Sequence, residues 1–183
     1  GVTPPFVHES LRQGDTYFYL VTAANEGGEV AAAPLQATLL PESPGIPAVI
    51  GADKQITLSW KPVNGAVAYR VHWNTKGDVA VTDPHLDVSA SSVVHTGVAN
   101  GGVYFYRIVA VNAGGESPLS TETKVTLAPD APVIAPPLAG DKQVTLAWTP
   151  VNGAATYNIY WNTSGPVISK DQKISVSATS YVH

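Results

Sequence analysis

The stretch "DKQITLSWKPVNGAVAYRVHWNT", residues 53–75, decides the fold. Ile56, Leu58 and Trp60 alternate with Gln55, Thr57 and Ser59, a period of two that describes a strand with one buried face. Lys61-Pro62-Val63-Asn64-Gly65 then supplies turn chemistry, because Asn-Gly tolerates the positive φ that a tight reversal needs. A second alternation follows, with Tyr69, Val71 and Trp73 on one side and Arg70, His72 and Asn74 on the other. Two strands and a turn within 23 residues leave no length for a helix.

The same sentence is written again as "DKQVTLAWTPVNGAATYNIYWNT" at 141–163, and the offset of 88 holds without a gap from Asp53–Asp141 to His95–His183. Further back, "LRQGDTYFYLVTAANEGGE" at 11–29 matches "VANGGVYFYRIVAVNAGGE" at 98–116 at an offset of 87. Internal repetition of this kind describes an array of similar modules. The expected organisation is the C-terminal part of one repeat over 1–43, a complete repeat over 44–131, and the N-terminal part of a further one over 132–183. The proline-rich stretches "LLPESPGIP" and "LAPDAPVIAPP" mark the boundaries, since proline is confined to strand edges and stiffens connections. In the middle copy Tyr104, Tyr106, Ile108 and Ala110 alternate with Phe105, Arg107, Val109 and Val111, adding a third long strand. Short strands punctuated by Gly, Pro and Asn argue for an antiparallel β-sandwich.

Composition narrows the function. At 183 residues with 44% hydrophobic and 13% charged residues, the chain has enough apolar material for packed cores. With no cysteine and no methionine, it has no disulfide, no zinc-thiolate site and no thiol nucleophile. No apolar run approaches the roughly 18 to 20 residues that cross a bilayer as a helix, and Gly1 in place of an initiating Met is what a processed or partial chain would show. The net charge of −4 is scattered singly and offers no basic stripe for a phosphate backbone, so nucleic acid is not an expected partner.

"ITLSW", "AYRVHW" and "VANGGVYFYRIVAVNAGGES" together resemble the fibronectin type III domain, across essentially the whole chain. The resemblance places Trp60 on strand B, Tyr69 on strand C, and Val98 and Tyr104, with Leu11 and Tyr17 in the first copy, at the family's tyrosine corner. Asn100 and Gln13 stand where that corner usually has proline. The implied fold is all-β: tandem fibronectin type III, immunoglobulin-like antiparallel sandwiches, one complete and two partial. The wording "YNIYWNTSGPVISK" and "YVH" is similar to tandem copies in large secreted or cell-surface bacterial proteins.

Inward strand parity assigns the structural core to Trp60, Tyr69, Trp73, Tyr104, Trp148, Tyr157, Trp161 and Tyr17. The opposite parity collects Phe18, Leu20, His72, Phe105, Val109 and Tyr160, apolar or aromatic groups on a face that an isolated sandwich would leave wet, and so a protein-contact face. His8, His95 and His183 recur at one place in every copy, which points to a structural role. No serine lies in a G-x-S-x-G elbow, and the acids fall in loops that differ between copies, so the chain is not expected to be an enzyme or to carry a cofactor. Asp78, Asp83, His85 and Asp87 cluster in "GDVAVTDPHLD", but the third copy keeps only Asp171 there, so the segment reads as a solvated loop without metal. Asn162-Thr163-Ser164 matches the N-glycosylation sequon. The turns at 25–30 and 112–117 lack the Arg-Gly-Asp through which some family members bind integrins.

The expected function is therefore a non-catalytic structural or adhesive repeat array, secreted or at the cell surface, part of a longer protein or fibre. The alternative is a spacer beside a catalytic module of a secreted carbohydrate-active enzyme. Expected partners are adjacent repeats of the same chain or other copies of it, with surface proteins or polysaccharide beyond them. A half sandwich exposes strand edges. Its completion is expected either from further chain or by strand exchange between copies.

Overall fold

The computed structural model describes residues 5–183, and every described element is a strand or a connection. The first repeat contributes β1 (Thr16–Tyr19), β2 (Thr22–Asn25), β3 (Gly28–Ala31) and β4 (Leu35–Thr38). β1 pairs antiparallel with β4, and β2 with β3 around the Asn25-Gly28 turn. Residues 1–4, the start of the segment assigned to this partial repeat, lie outside the described residues.

The middle repeat contributes β5 (Ala48–Ala52), β6 (Gln55–Ser59), β7 (Ala68–Asn74), β8 (His85–Val88), β9 (Ser92–Thr96), β10 (Val103–Asn112), β11 (Gly115–Glu116) and β12 (Thr123–Thr126). One sheet runs β5-β6-β9, and the other runs β11-β10-β7-β8 with β12 also on β10. Alternation along the strands becomes alternation in burial: Ile56 and Leu58 are fully buried while Gln55 and Ser59 are exposed. On the second sheet Tyr69, Val71, Tyr106 and Ile108 point into the same core. Trp60, at the end of β6, meets Tyr69 edge-on with ring centres 5.2 Å apart. The Tyr69 hydroxyl in turn accepts from the Val63 N–H at 2.9 Å, pinning the Lys61–Gly65 turn to the strand it introduces.

The third repeat contributes β13 (Leu138–Gly140), β14 (Gln143–Ala147), β15 (Tyr157–Trp161), β16 (Gln172–Val176) and β17 (Ser180–Val182). It repeats the middle one feature by feature. Trp148 and Tyr157 are 5.4 Å apart, and the Tyr157 hydroxyl accepts from Val151 N–H at 3.0 Å. The difference lies in pairing: β7 has neighbours on both sides, whereas β15 pairs with β16 alone among the described strands.

By contacts, the chain gathers into two compact units whose limits cut across the repeats. One holds the residues up to Ile50, Ile56–His95 and Val103–Val125; the other holds Gly51–Gln55, Thr96–Gly102 and Thr126–His183. Each unit therefore contains one junction between successive repeats.

One expectation needs correction. The outward face was expected to be wet, yet His72 is 2% exposed and Val109 fully buried. The cause is the segment 75–84, an otherwise largely exposed loop that turns Val79 onto that face. Its Val79 is buried, the Val79 N–H donates to Glu122 Oε2 at 2.8 Å, and Arg107 Nη1 donates to the Val79 carbonyl at 3.3 Å. Phe105 is half-buried beneath Gly77, and Tyr160 is half-buried too, so only Phe18 and Leu20 of the six proposed contact residues are exposed.

Most residues of 77–87 are exposed, with Val79 turned inward, and a side-chain clasp orders the loop. Asn74 Nδ2 donates to Asp83 Oδ2 at 2.9 Å and Asn74 Oδ1 accepts from the Lys76 and Gly77 N–H groups, while Asp83 also caps Ala80 N–H at 2.9 Å. Those bonds, from Ala80 first and then Asn74, hold the Asp83 carboxyl below its ordinary pKa. Asn162 and Asp171 repeat the clasp, with Asn162 Nδ2 to Asp171 Oδ2 at 2.9 Å and Ile168 N–H to Asp171 Oδ2 at 2.7 Å. The sequon asparagine is thus engaged: a glycan on Asn162 Nδ2 would replace one of its two hydrogens and forfeit either this bond or the one to the Pro166 carbonyl.

Of the assigned core, Trp60, Tyr69, Tyr104 and Trp148 are buried, whereas Tyr17, Trp73, Tyr157 and Trp161 are half-buried. Trp73 lies near the end of β7 and packs against His95 with tilted rings whose centres are 4.5 Å apart. Tyr157 and Trp161 sit on β15, which no strand equivalent to β10 covers among those described.

Candidate functional site at the joints between repeats

The features shared by both repeat boundaries are turns, and their geometry explains four glycines and two asparagines. At the first boundary, the turn before β1 meets the Pro62–Gly65 turn before β7. Gly14 has φ +84° and Gly65 φ +68°, both in the left-handed region that glycine enters without a Cβ penalty. A Cβ on Gly14 would overlap the Asn64 carbonyl, and one on Gly65 would overlap the Gly14 carbonyl. The two backbones touch directly. Asn64 Nδ2 fastens the contact, donating to the Gln13 carbonyl at 2.9 Å and to Asp15 Oδ1 at 2.8 Å.

The second boundary is built the same way, inside the other compact unit. Gly101 (φ +73°) and Gly153 (φ +70°) face each other so closely that a Cβ on either would strike the other's turn. Asn152 Nδ2 donates to the Asn100 carbonyl at 2.8 Å, as Asn64 does to that of Gln13. Even the brace behind the turn recurs: Gly14 N–H to the Leu40 carbonyl at 2.9 Å, Gly101 N–H to the Ala128 carbonyl at 3.0 Å. Asn100 adds a hub. Its Nδ2 donates to Asp53 Oδ1 and to Asp130 Oδ1, each at 2.7 Å, and its Oδ1 accepts from Lys54 N–H at 3.0 Å. Asn100 stands at a position where proline is usual, and the buried amide makes these links through side-chain donors that proline lacks.

The first joint carries further fastenings. Asn112 Nδ2 donates to the Leu39 carbonyl at 2.8 Å, and Ser43 Oγ to the Leu119 carbonyl at 3.1 Å. Pro41, Pro44 and Pro47 are buried at every third position, the period of a polyproline II strand laid along a surface. At the second boundary residues 128–140 are exposed throughout.

The recurrent histidines also belong to the architecture. His8 Nδ1 lies 3.2 Å from the Tyr19 hydroxyl and His95 Nδ1 2.9 Å from that of Tyr106, the same pair in successive copies. On the other side, His95 packs against Trp73 and His183 against Trp161 with tilted rings, centres 4.5 and 4.7 Å apart. The middle repeat holds the whole Trp-His-Tyr set. Burial lowers the His95 pKa below its ordinary 6.5 and pushes the Tyr106 hydroxyl up. The folded site resists a proton that the unfolded chain accepts. Its stabilisation is therefore complete above pH 6.5 and is lost as pH falls below that value toward the lowered folded one. Melting temperatures measured from pH 7.5 down to 5 should fall more steeply for the wild type than for His95→Gln; parallel profiles would remove His95 as the cause.

Among the described residues no three His, Asp or Glu side chains gather where they could hold a metal, and no helix is long and apolar enough to cross a membrane. A cleft of about 550 Å³ opens on the third repeat, lined by Leu146, Trp148, Tyr157, Ile159 and Tyr160 among others. It is largely apolar and lies along the side of β15 that corresponds to the β10-facing side of β7.

Comparison with known proteins agrees with this architecture. The model of the fibronectin type III domain matches residues 43–126. Fibronectin type III domain-containing protein 7 of Mus musculus is 28% identical over 160 residues, 81% of this chain and 20% of that protein. A Kelch domain-containing protein of Saccharolobus solfataricus is 28% identical over 121 residues, 64% of this chain and 16% of its own length. The chain thus spans a fifth or less of these relatives. Among solved structures, a Fn3-like protein from Clostridium thermocellum is 26% identical with a TM-score of 0.40, covering 48% of this chain and 93% of that one. The FN1-FN3 domains of chicken CNTN1 are 18% identical with a TM-score of 0.41, covering 94% of this chain and 66% of that one. Domains of this type are generally non-catalytic modules, often extracellular or at a surface. The strand order, the alternating core and the family match meet in one segment: over residues 43–126 the chain carries a fibronectin type III domain, set within tandem sandwiches.

Proposed function

We propose that this chain is a stretch of a non-catalytic structural or adhesive array, carried outside the cell or on its surface, whose immediate partners are adjacent repeats or other copies of itself. One observation carries the reading: both boundaries are fastened by the same backbone contact between glycines and the same asparagine-to-carbonyl bond, at Gly14, Asn64 and Gly65, then at Gly101, Asn152 and Gly153. A connection serving only as a tether has no use for matched turns.

The cleft on the third repeat supports the same reading. β15 carries Tyr157, Ile159 and Trp161 where β7 carries Tyr69, Val71 and Trp73, and the other side of β7 is filled by β10 in the middle repeat. A segment with the sequence of β10 to β12 therefore has the shape and parity to cover Trp148, Tyr157 and Ile159. A synthetic peptide of residues 98–128, titrated against the intact chain, should bind saturably with a blue shift of tryptophan emission, and a scrambled peptide should not. Equal behaviour of the two peptides would overturn completion by a neighbouring repeat.

A further inference from the structure

His72 and His85 face each other across two strands, and nothing in the repeat requires them to be histidines. Their Cα positions are directly paired in the β7–β8 register, and their ring centres lie 5.1 Å apart. In the third repeat the equivalent pair, in the same register, is Tyr160 and Lys173. The fold accepts a pair that cannot ligate. The imidazoles are an addition by this repeat to a shared scaffold.

The state of His72 gives the pair a chemical meaning. His72 Nδ1 lies 3.4 Å from the Asp83 carbonyl oxygen, which can only accept, so Nδ1 carries the proton. Its Nε2 therefore carries the lone pair, and that atom is buried with no hydrogen-bond partner. A buried acceptor without a donor is costly. An imidazole held by a backbone carbonyl on one nitrogen, with the other bare, is also the arrangement in which histidine binds metal ions. The Asn74–Asp83 clasp fixes the carbonyl that orients the ring. His85 is the exposed member, its side chain 40% exposed and its Nε2 3.7 Å from Asp87 Oδ2. The other Asp87 oxygen accepts from Arg70 Nε at 3.1 Å.

We propose that His72 and His85 form a two-nitrogen site for a divalent transition-metal ion of the zinc, nickel and copper class, which imidazole suits. With nitrogen about 2.0–2.1 Å from such an ion, a ring-centre separation of 5.1 Å is short enough for both imidazoles to reach one ion. Solvent completes the coordination, and the ion enters from the exposed His85 side. This site would tie β7 to β8 in the middle repeat alone, and is independent of the joints.

Thermal unfolding of the intact chain with Zn²⁺ or Ni²⁺, and NMR of the histidine rings with substoichiometric Cu²⁺, test it. The melting temperature should rise by several degrees with metal, and the His72 and His85 signals should broaden before those of His8, His95 and His183. Both effects should vanish in His85→Ala, an exposed position whose loss leaves the fold intact, and in His72→Tyr, which installs the third repeat's residue. No rise, a rise that persists in His85→Ala, or earlier broadening at the other histidines would each overturn the site.

Discussion

Trp60→Ala should unfold the middle repeat at temperatures where the wild type is intact. Trp60 is 7% exposed and sits edge-on to Tyr69 at the mouth of the core formed by Ile56, Leu58, Val71, Tyr106 and Ile108. Truncating a buried tryptophan costs about 3–5 kcal/mol, and a domain of this size is stable by only about 5–15 kcal/mol. At about 4–8 °C per kcal/mol for a domain of 60–100 residues, the expected fall in Tm is more than ten degrees. The Tyr69 hydroxyl would keep its bond to Val63, so the turn should survive longer than the core. A Tm within a degree or two of wild type would contradict the assignment of Trp60 to the core.

The second large effect is at a joint, and the molecule contains its own control. Gly101 and Gly97 have nearly the same backbone, φ +73° and +75°, yet a Cβ at 97 meets nothing within 4 Å while one at 101 strikes Asn152 and Gly153. Each alanine should lose about 1–2 kcal/mol from the left-handed conformation. Gly101→Ala should in addition part the turns and break the Asn152-to-Asn100 bond, exposing the amides of 151–154 to hydrogen exchange while β7 and β10 stay protected. Equal consequences for the two alanines would mean that the joint contributes nothing beyond local strain.

Much of this architecture could be read from the sequence because it rests on local periods. The alternations at 55–60, 69–73 and 104–110 locate strands, and the offset of 88 locates the repeat before any fold is considered. The parts that could not be read depend on where distant segments meet. His72 and Val109 have outward parity, and only the return of Val79 onto Arg107 and Glu122 buries them. The Asn74–Asp83 clasp left a trace, since Asn162 and Asp171 keep the same spacing, but acids scattered over a loop concealed a pair that caps backbone amides. Asn64-Gly65 and Asn152-Gly153 announce turns, and a turn's local chemistry does not disclose which other turn it touches. The recurrence of Gly14 with Gly101 at the facing positions was the available signal.

The account's central claim is that successive repeats are fastened turn to turn, and the most direct measurement is the proton-proton Overhauser contact between the glycines. Strong Hα–Hα cross-peaks between Gly14 and Gly65, and between Gly101 and Gly153, are the predicted result, because each pair is packed too closely to admit a methyl group. Absence of both cross-peaks in a chain whose β7–β10 contacts are fully observed would contradict it.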